Sequence, residues 1–311
     1  MPSLTNRIKD RALELGFCKA GVVSASKLDR EGSRLFEWLA NGFHGEMAWT
    51  GREPEKRTDP KLIFPDAKSI VAVAMNYYTP REHGNSDSEG KISRYAWGDD
   101  YHDVVHEKLR ALLDWIKTEV PEAEGKICVD TTPMMEKAWA VRAGIGWLGK
   151  HSNVITTDHG SWVFLGEIIL NIELDCDAEV MPDHCGSCTA CLDACPTQAI
   201  VEPYVVDSTK CISYATIELR DDELPDEIVP HLDGWIYGCD ICQDVCPWNR
   251  FETPTIEKRF EPRNGETSLD LDSLSTMEHA QYVERFRGSA MKRTKLSGLK
   301  RNAAALQKPA C

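Results

Sequence analysis

The chain has 311 residues, 42% of them apolar, and a formal net charge of −14. Such a length and apolar share support two domains, or one large domain with an appendage, while no apolar run reaches membrane-spanning length. The segment from Met1 to Asp10 has no apolar export-signal core, so a cytosolic protein is expected, and the acidic total argues against a general nucleic-acid binder.

Residues 5–15 place Ile8, Ala12 and Leu15 on one face with charges between them and Gly16 behind, which predicts an amphipathic helix. A short strand is expected over 20–23 and a second helix over 32–41, ended by Gly42. Residues 49–65, with Arg52, Lys56 and Arg57 among prolines, read as a loop that either connects or binds a ligand. The β-branched run at 67–78 predicts a buried strand. Tyr95, Trp97 and Tyr101 crowd a loop ahead of a helix at 102–118, where they either line a flat ligand or form a core flap. Residues 126–130 predict a strand ending in Asp130, followed by a helix over 134–143 with Pro133 in its first turn and Thr131 or Thr132 as cap. A strand end facing a helix start favours chemistry at Asp130, with a turn aspartate as the plain alternative.

Gly144, Gly146 and Gly149 make a loop without the ending of a phosphate loop, but one whose backbone could approach a bulky planar group closely. Strands at 154–157 and 162–174 are expected to complete the same core, closing a first domain near residue 175.

Then comes the most specific stretch, Cys185, Cys188, Cys191 and Cys195 followed by Pro196. This C-x2-C-x2-C-x3-C-P run aims three thiolates at three corners of a 4Fe–4S cube, and the fourth Cys of such a run serves a second cluster in two-cluster ferredoxins. A second, altered run supplies Cys211, Cys239, Cys242 and Cys246-Pro247. Crossing the fourth ligands gives Cys185, Cys188, Cys191 and Cys246 for one cluster and Cys195, Cys211, Cys239 and Cys242 for the other. Structural zinc would take two separated pairs and needs neither the third close Cys nor the Cys-Pro ending. Cys18, Cys128, Cys176 and Cys311 remain as plain thiols. From Arg285 to Cys311 the chain is basic and helical in pattern, a local anion-binding face or a solvated helix.

Taken together, these features resemble the epoxyqueuosine reductase family, cobalamin-dependent iron–sulfur enzymes of queuosine tRNA modification, and are more distantly similar to reductive dehalogenases. The resemblance rests on residues 92–102, 129–137 and 143–150, the two cysteine runs, 210–218, 287–293 and 298–303. It implies an α+β chain: a nitroreductase-like cobalamin-binding domain over 1–175, a ferredoxin-like domain with two 4Fe–4S clusters over 176–255, and a helical basic segment over 256–311. Many members continue into HEAT-like repeats where this chain stops.

The implied reaction, the last step of queuosine biosynthesis, removes the epoxide oxygen of epoxyqueuosine at the tRNA wobble position. It uses cob(I)alamin fed by the clusters and lying next to the first of them. Asp130 would be the proton donor, its pKa raised by burial against corrin and substrate. Corrin contacts would come from Arg57, Tyr95, Ala96, Trp97, Asp130, Gly149, Lys150, His151 and Asn153, and phosphate contacts from Lys292, Arg293, Lys300 and Arg301. The implied partners are the anticodon stem-loop of a tRNA and an external low-potential reductant, with the chain acting as a monomer. A two-cluster ferredoxin-type electron carrier and a corrinoid reductive dehalogenase are the rival readings.

Overall fold

The computed structural model describes residues 2–84, 86–177 and 180–308, so Cys311 lies outside it. Ser3 caps the first helix, α1 (Leu4–Glu14), by accepting from the Asn6 N–H, and β1 (Lys19–Ser24) follows. Next come α2 (Asp29–Ala40) and α3 (Pro54–Thr58), the latter a single turn within the expected loop, made possible because Pro54 stands at its start where no N–H is needed. The chain continues through β2 (Ser69–Asn76), β3 (Glu89–Ile92), α4 (Tyr101–Glu119), β4 (Gly125–Cys128), α5 (Glu136–Arg142), β5 (Trp147–Leu148), β6 (Val154–Ile155) and β7 (Val163–Leu170).

An antiparallel sheet of order β1-β2-β7-β4 is the frame. Every residue of β2 is buried because helices cover both faces. Alternation sends Val71, Val73 and Met75 into the core with Ile8 of α1 and Leu109, Leu112 and Leu113 of α4, and sends Ile70, Ala72 and Ala74 toward Trp139 and Ala140 of α5. Close approach of α5 to β1 needs Gly21, where a Cβ would fall 2.0 Å from the Ala143 carbonyl oxygen. The expected strand at 154–157 does not join this sheet: β6 pairs only with β5.

The cysteine-bearing part contains α6 (Ala190–Ala194), β8 (Ile200–Glu202), β9 (Val205–Val206), α7 (Ile212–Ile217), β10 (Trp235–Tyr237) and α8 (Ile241–Asp244). The remainder holds β11 (Ser268–Asp270), α9 (Leu271–Thr276), α10 (His279–Arg285) and α11 (Lys295–Gln307). β11 was not foreseen in a stretch read as helical. It is three residues long and exists because β3 offers it an edge, with β10 on the other side of β3. Residues 89–97 therefore leave the main sheet and share a core with the chain's end, where Ile92, Ala96 and Trp97 pack with Ile236, Leu274, Met291 and Leu299. Among the described residues no helix is long and apolar enough to cross a membrane.

Arg301 of α11 fastens this last part to α7. Its guanidinium donates to the carbonyls of Leu219 (3.0 Å), Asp221 (2.9 Å) and Ala215 (2.8 Å) and to Asn302 Oδ1 (2.9 and 3.1 Å). All five of its N–H groups are thereby engaged, which leaves none for a phosphate. Arg301→Ala is expected to destabilise the chain by about 2 kcal/mol, the worth of a charged hydrogen-bond cluster with one side removed. A lowered denaturant midpoint checks this, and an unchanged midpoint would refute the clamp.

Candidate active site

A cavity of ≈ 510 Å³ opens between the main sheet and the cysteine-bearing part. Its walls include Tyr95, Tyr101, Phe164, Asp130, Glu136, Lys137, residues 151–154, and the thiols Cys195, Cys211, Cys239 and Cys242. Beyond β4 the chain does not enter a helix at once. Residues 129–135 make a loop, and α5 begins only at Glu136 with Met135 as an uncapped N-cap, so neither Thr131 nor Thr132 caps it. Asp130 sits in that loop with φ +52°, a left-handed conformation costing an L-residue about 1 kcal/mol. Its N–H donates to Glu136 Oε1, which holds the turn, and its carboxylate stands into the cavity with its side chain 57% exposed.

The carboxylate does not stand alone. His102 bridges two acids, Nδ1 lying 2.6 Å from Asp100 Oδ1 and Nε2 lying 3.0 Å from Asp130 Oδ2. Tyr101 stacks on His102 at 4.1 Å and on Phe164 at 4.4 Å, which fixes the imidazole plane. Burial opposes the His102 charge, but hydrogen bonds to Asp100 and Asp130 outweigh it and raise its pKa to about 9. For Asp130 burial pushes upward, yet His102 and Tyr101 bring the carboxyl below its ordinary range. In the chain without corrin or substrate the Asp130 carboxyl is thus held low, and any rise must come from their burying it further. The proton rests on the imidazole, and aspartate and histidine hold it as a pair.

The other expected corrin contacts divide. Tyr95, His151 and Asn153 line the cavity; Arg57, Ala96, Trp97, Gly149 and Lys150 do not. Trp97 is 2% exposed, its indole N–H donating to the Ile92 carbonyl at 2.7 Å, so Trp97 belongs to the core while Tyr95 and Tyr101 of the same stretch line the cavity. Gly146 and Gly149 serve packing, since Cβ atoms there would fall 2.1 Å from the Ile155 carbonyl oxygen and 2.6 Å from Ile155 Cδ1. Lys150 turns away, its ammonium donating to the carbonyls of Gly186 (2.6 Å) and Cys188 (2.8 Å) within the first cysteine run. Arg57 lies over Trp49 at 5.2 Å and donates to the Thr50 and Trp49 carbonyls. Burial drives His151 to a pKa of about 4, so it is neutral, and its Nε2 has no partner among the described residues. Lys137, not singled out from sequence, donates to Ser152 O (2.8 Å) and Asn153 Oδ1 (2.9 Å) and so ties α5 to the loop opposite.

The eight thiols of the two cysteine runs act on one another through space. Burial raises the Cys191 thiol to about 11, and its charged neighbours are Cys246, Cys185 and Cys188. Cys242 is raised by burial and then by Cys211, and Cys239 and Cys211 are linked in the same way to Cys242 and Cys195. These neighbours run mainly within the expected crossed sets, although Cys191 of one set also reaches Cys242 of the other. Four thiolates so placed repel one another, and a cationic iron core relieves that repulsion. Backbone N–H groups face the sulfurs as well: Ala199 N lies 3.3 Å from Cys195 Sγ, and Trp248 and Asn249 favour the Cys246 thiolate. Among the described residues no three His, Cys, Asp or Glu side chains converge tightly enough for a single ion. The cavity is walled by Cys195, Cys211, Cys239 and Cys242, so a ligand there lies beside the second set and not, as the sequence suggested, the first.

Of the basic side chains expected at phosphates, Arg301 is the clamp described above and Arg293 makes a two-pronged ion pair with Glu218 (2.7 and 2.9 Å). Lys292 is exposed and Lys300 half-buried, and neither is in an ion pair among the described residues.

Comparison with known proteins agrees with these features. A family model described as epoxyqueuosine reductase QueG, DUF1730, matches residues 57–131, and one described as a 4Fe–4S double cluster binding domain matches residues 184–249. The chain is 50% identical over 284 residues to an epoxyqueuosine reductase of a Synechocystis species, covering 91% of this chain and 97% of that one. Among solved structures, an epoxyqueuosine reductase with an epoxyqueuosine-modified tRNA-Tyr stem loop superposes with a TM-score of 0.91 at 35% identity, over 97% of this chain and 80% of the other. A Bacillus subtilis epoxyqueuosine reductase with its catalytic aspartate loop swung out of the active site gives 0.90 at 33% identity, with the same coverage. At 50% identity over nine-tenths of its length, and with the eight cysteines, the cavity and the Asp130 loop on one fold, the chain belongs to the epoxyqueuosine reductase family.

Proposed function

We propose that this chain reduces epoxyqueuosine to queuosine at the wobble position of tRNA, with Asp130 as the acid that touches substrate. The observation that carries this reading is a single cavity lined both by Asp130, which His102 pairs with, and by four cysteines. An acid and an electron source lining one cavity suit a reaction that consumes electrons and protons together.

The thiols of Cys185, Cys188, Cys191 and Cys246 hold one 4Fe–4S cluster, and those of Cys195, Cys211, Cys239 and Cys242 hold the other. A cobalamin fits the cavity on two counts: with Nδ1 of neutral His151 accepting the Asn153 N–H, its unpartnered Nε2–H offers a hydrogen-bond donor, and Tyr95 and Asn153 stand beside it. Bound there, it supplies a low-potential centre reactive toward carbon. The chain's own part is to place the acid, hold the proton on His102 until it is needed, and keep the cluster thiols out of bulk water.

The rim suits single-stranded RNA. Trp49 is 41% exposed, with the Arg57 guanidinium 5.2 Å and the Arg293 guanidinium 5.9 Å from its ring. An indole flanked by cations gives a splayed base a stacking surface and its phosphates a counter-charge, despite the net charge of −14. Anaerobic incubation of epoxyqueuosine-containing tRNA with the chain, cobalamin and a strong reductant, read by nucleoside mass spectrometry, tests the proposal. Queuosine must appear; corrinoid binding without any change in the tRNA would revive the dehalogenase reading.

A pH dependence follows from the pair. His102 carries its proton through neutrality and loses it as the pH rises through about 9. The kcat profile is expected to be level below that value and to fall above it, and a decline already complete at neutral pH would exclude His102 as the holder.

A further inference from the structure

The reductase reading sets a proton count that Asp130 cannot meet alone. In converting an epoxide to an alkene and water, both carbon–oxygen bonding pairs leave with the oxygen. Two electrons from the external low-potential donor form the second carbon–carbon bond, and two protons end on that oxygen. One contact acid delivers one proton, so it must be reloaded while the RNA still covers the cavity.

Behind Asp130 lies a buried pair of acids that the mechanism so far does not use. Glu167 occupies the middle of β7, between Leu165 and Ile169 on the face covered by α5, and opposite Cys128 of β4. It is 0% exposed, and neither carboxyl oxygen has a hydrogen-bond partner among the described residues. An unpaired carboxylate at such a place would cost several kcal/mol, so the group is protonated at rest. The charge that reaches Glu167 is that of Glu136, the first residue of α5. Glu136 in turn lines the cavity and accepts the Asp130 N–H. The titratable groups facing Glu136 are Asp130 of the loop, His102 of α4, Lys137 of its own helix and Glu167 of β7; the thiol of Cys128 faces both acids. Burial, then the charge of Asp130, raise Glu136 above the usual carboxylate range.

We propose that Glu136 and Glu167 form an internal proton relay that reloads the Asp130–His102 pair between the two protonations of one catalytic cycle, Glu136 passing its proton into the cavity it lines and the two acids regaining one from solvent through that opening once the RNA has left. The inference rests on the reductase reading, but its first consequence is a property of the chain without substrate. Infrared spectroscopy of the cluster-loaded chain should show the C=O stretch of a buried protonated carboxyl, and Glu167→Gln should remove it. In turnover, Glu136→Gln keeps an oxygen for the Asp130 N–H yet cannot pass a proton. It is expected to lower kcat about 10²-fold with KM and cluster absorbance unchanged. Because reloading would then draw on bulk solvent, kcat of Glu136→Gln should fall with rising pH across neutrality, where the parent is level. Glu167→Gln should show the same slope with a smaller loss.

A lowered kcat with the parent's pH profile would make Glu136 a mere support of the loop and overturn the relay, as would a carboxyl stretch untouched by Glu167→Gln. If the parent itself left the modified tRNA unchanged, the reductase reading and the relay would fall together. Normal turnover by both variants would overturn the relay alone.

Discussion

Asp130→Asn is expected to lose turnover by 10²-fold or more while retaining the absorbance of both clusters and the uptake of cobalamin. An asparagine amide can occupy the same left-handed turn, since Asn tolerates positive φ nearly as well as Asp, so the loop keeps its shape. What disappears is the oxygen that takes a proton from His102 Nε2 and passes it onward across the 3.0 Å between them. His102 also loses one of the two carboxylates that hold its charge, so its pKa moves down from about 9 toward the ordinary imidazole value. The residual activity should therefore decline at a lower pH than in the parent. Nucleoside mass spectrometry at several pH values reads both effects. Turnover equal to the parent's would remove Asp130 from the chemistry.

Parts of this site were legible because the information is local. Cysteine spacing carries ligand geometry in the order of residues itself, which is why a double-cluster region could be read from sequence, where a family model for two 4Fe–4S clusters matches residues 184–249. The first helix was equally plain: Ile8 and Ala12 lie on one turn-spaced face, and both are fully buried. Other parts were hidden because their partners are distant in sequence. Glu167 is a single acid in the apolar run Leu165-Gly166-Glu167-Ile168-Ile169, and only packing of α5 against β7 sets Glu136 beside it. His102 reads as the first turn of a helix until the β4 loop brings Asp130 to its ring. Trp97 misled for a related reason. An aromatic loop is indistinguishable from a ligand wall until β10 and α11 are seen closing over it. The glycines of 146–149 were misread because a Cβ-free surface serves a neighbouring strand, here β6, as well as it serves a cofactor.

The arrangement of the thiols makes the two cluster sites unequal, and Cys242→Ser is expected to be the more damaging of two matched replacements. Cys242 belongs to the set that walls the cavity, whereas Cys188 belongs to the other set and is exposed. On the proposed ligand sets, electrons from an external donor enter through the set that includes the exposed Cys188 and leave through the set at the cavity. Losing the inner cluster breaks the path at its last step, so turnover of Cys242→Ser should fall by at least about 10²-fold whatever donor is supplied. Losing the outer cluster, as in Cys188→Ser, removes only the entry point. A small, strong chemical reductant can reach the inner cluster directly, and turnover should partly return with it while remaining lost with a protein donor. Iron content and electron paramagnetic resonance of each variant establish that one cluster remains. The opposite ranking, with Cys188→Ser dead toward small reductants and Cys242→Ser active, would place the electron exit at the first set and move the reacting group away from Asp130.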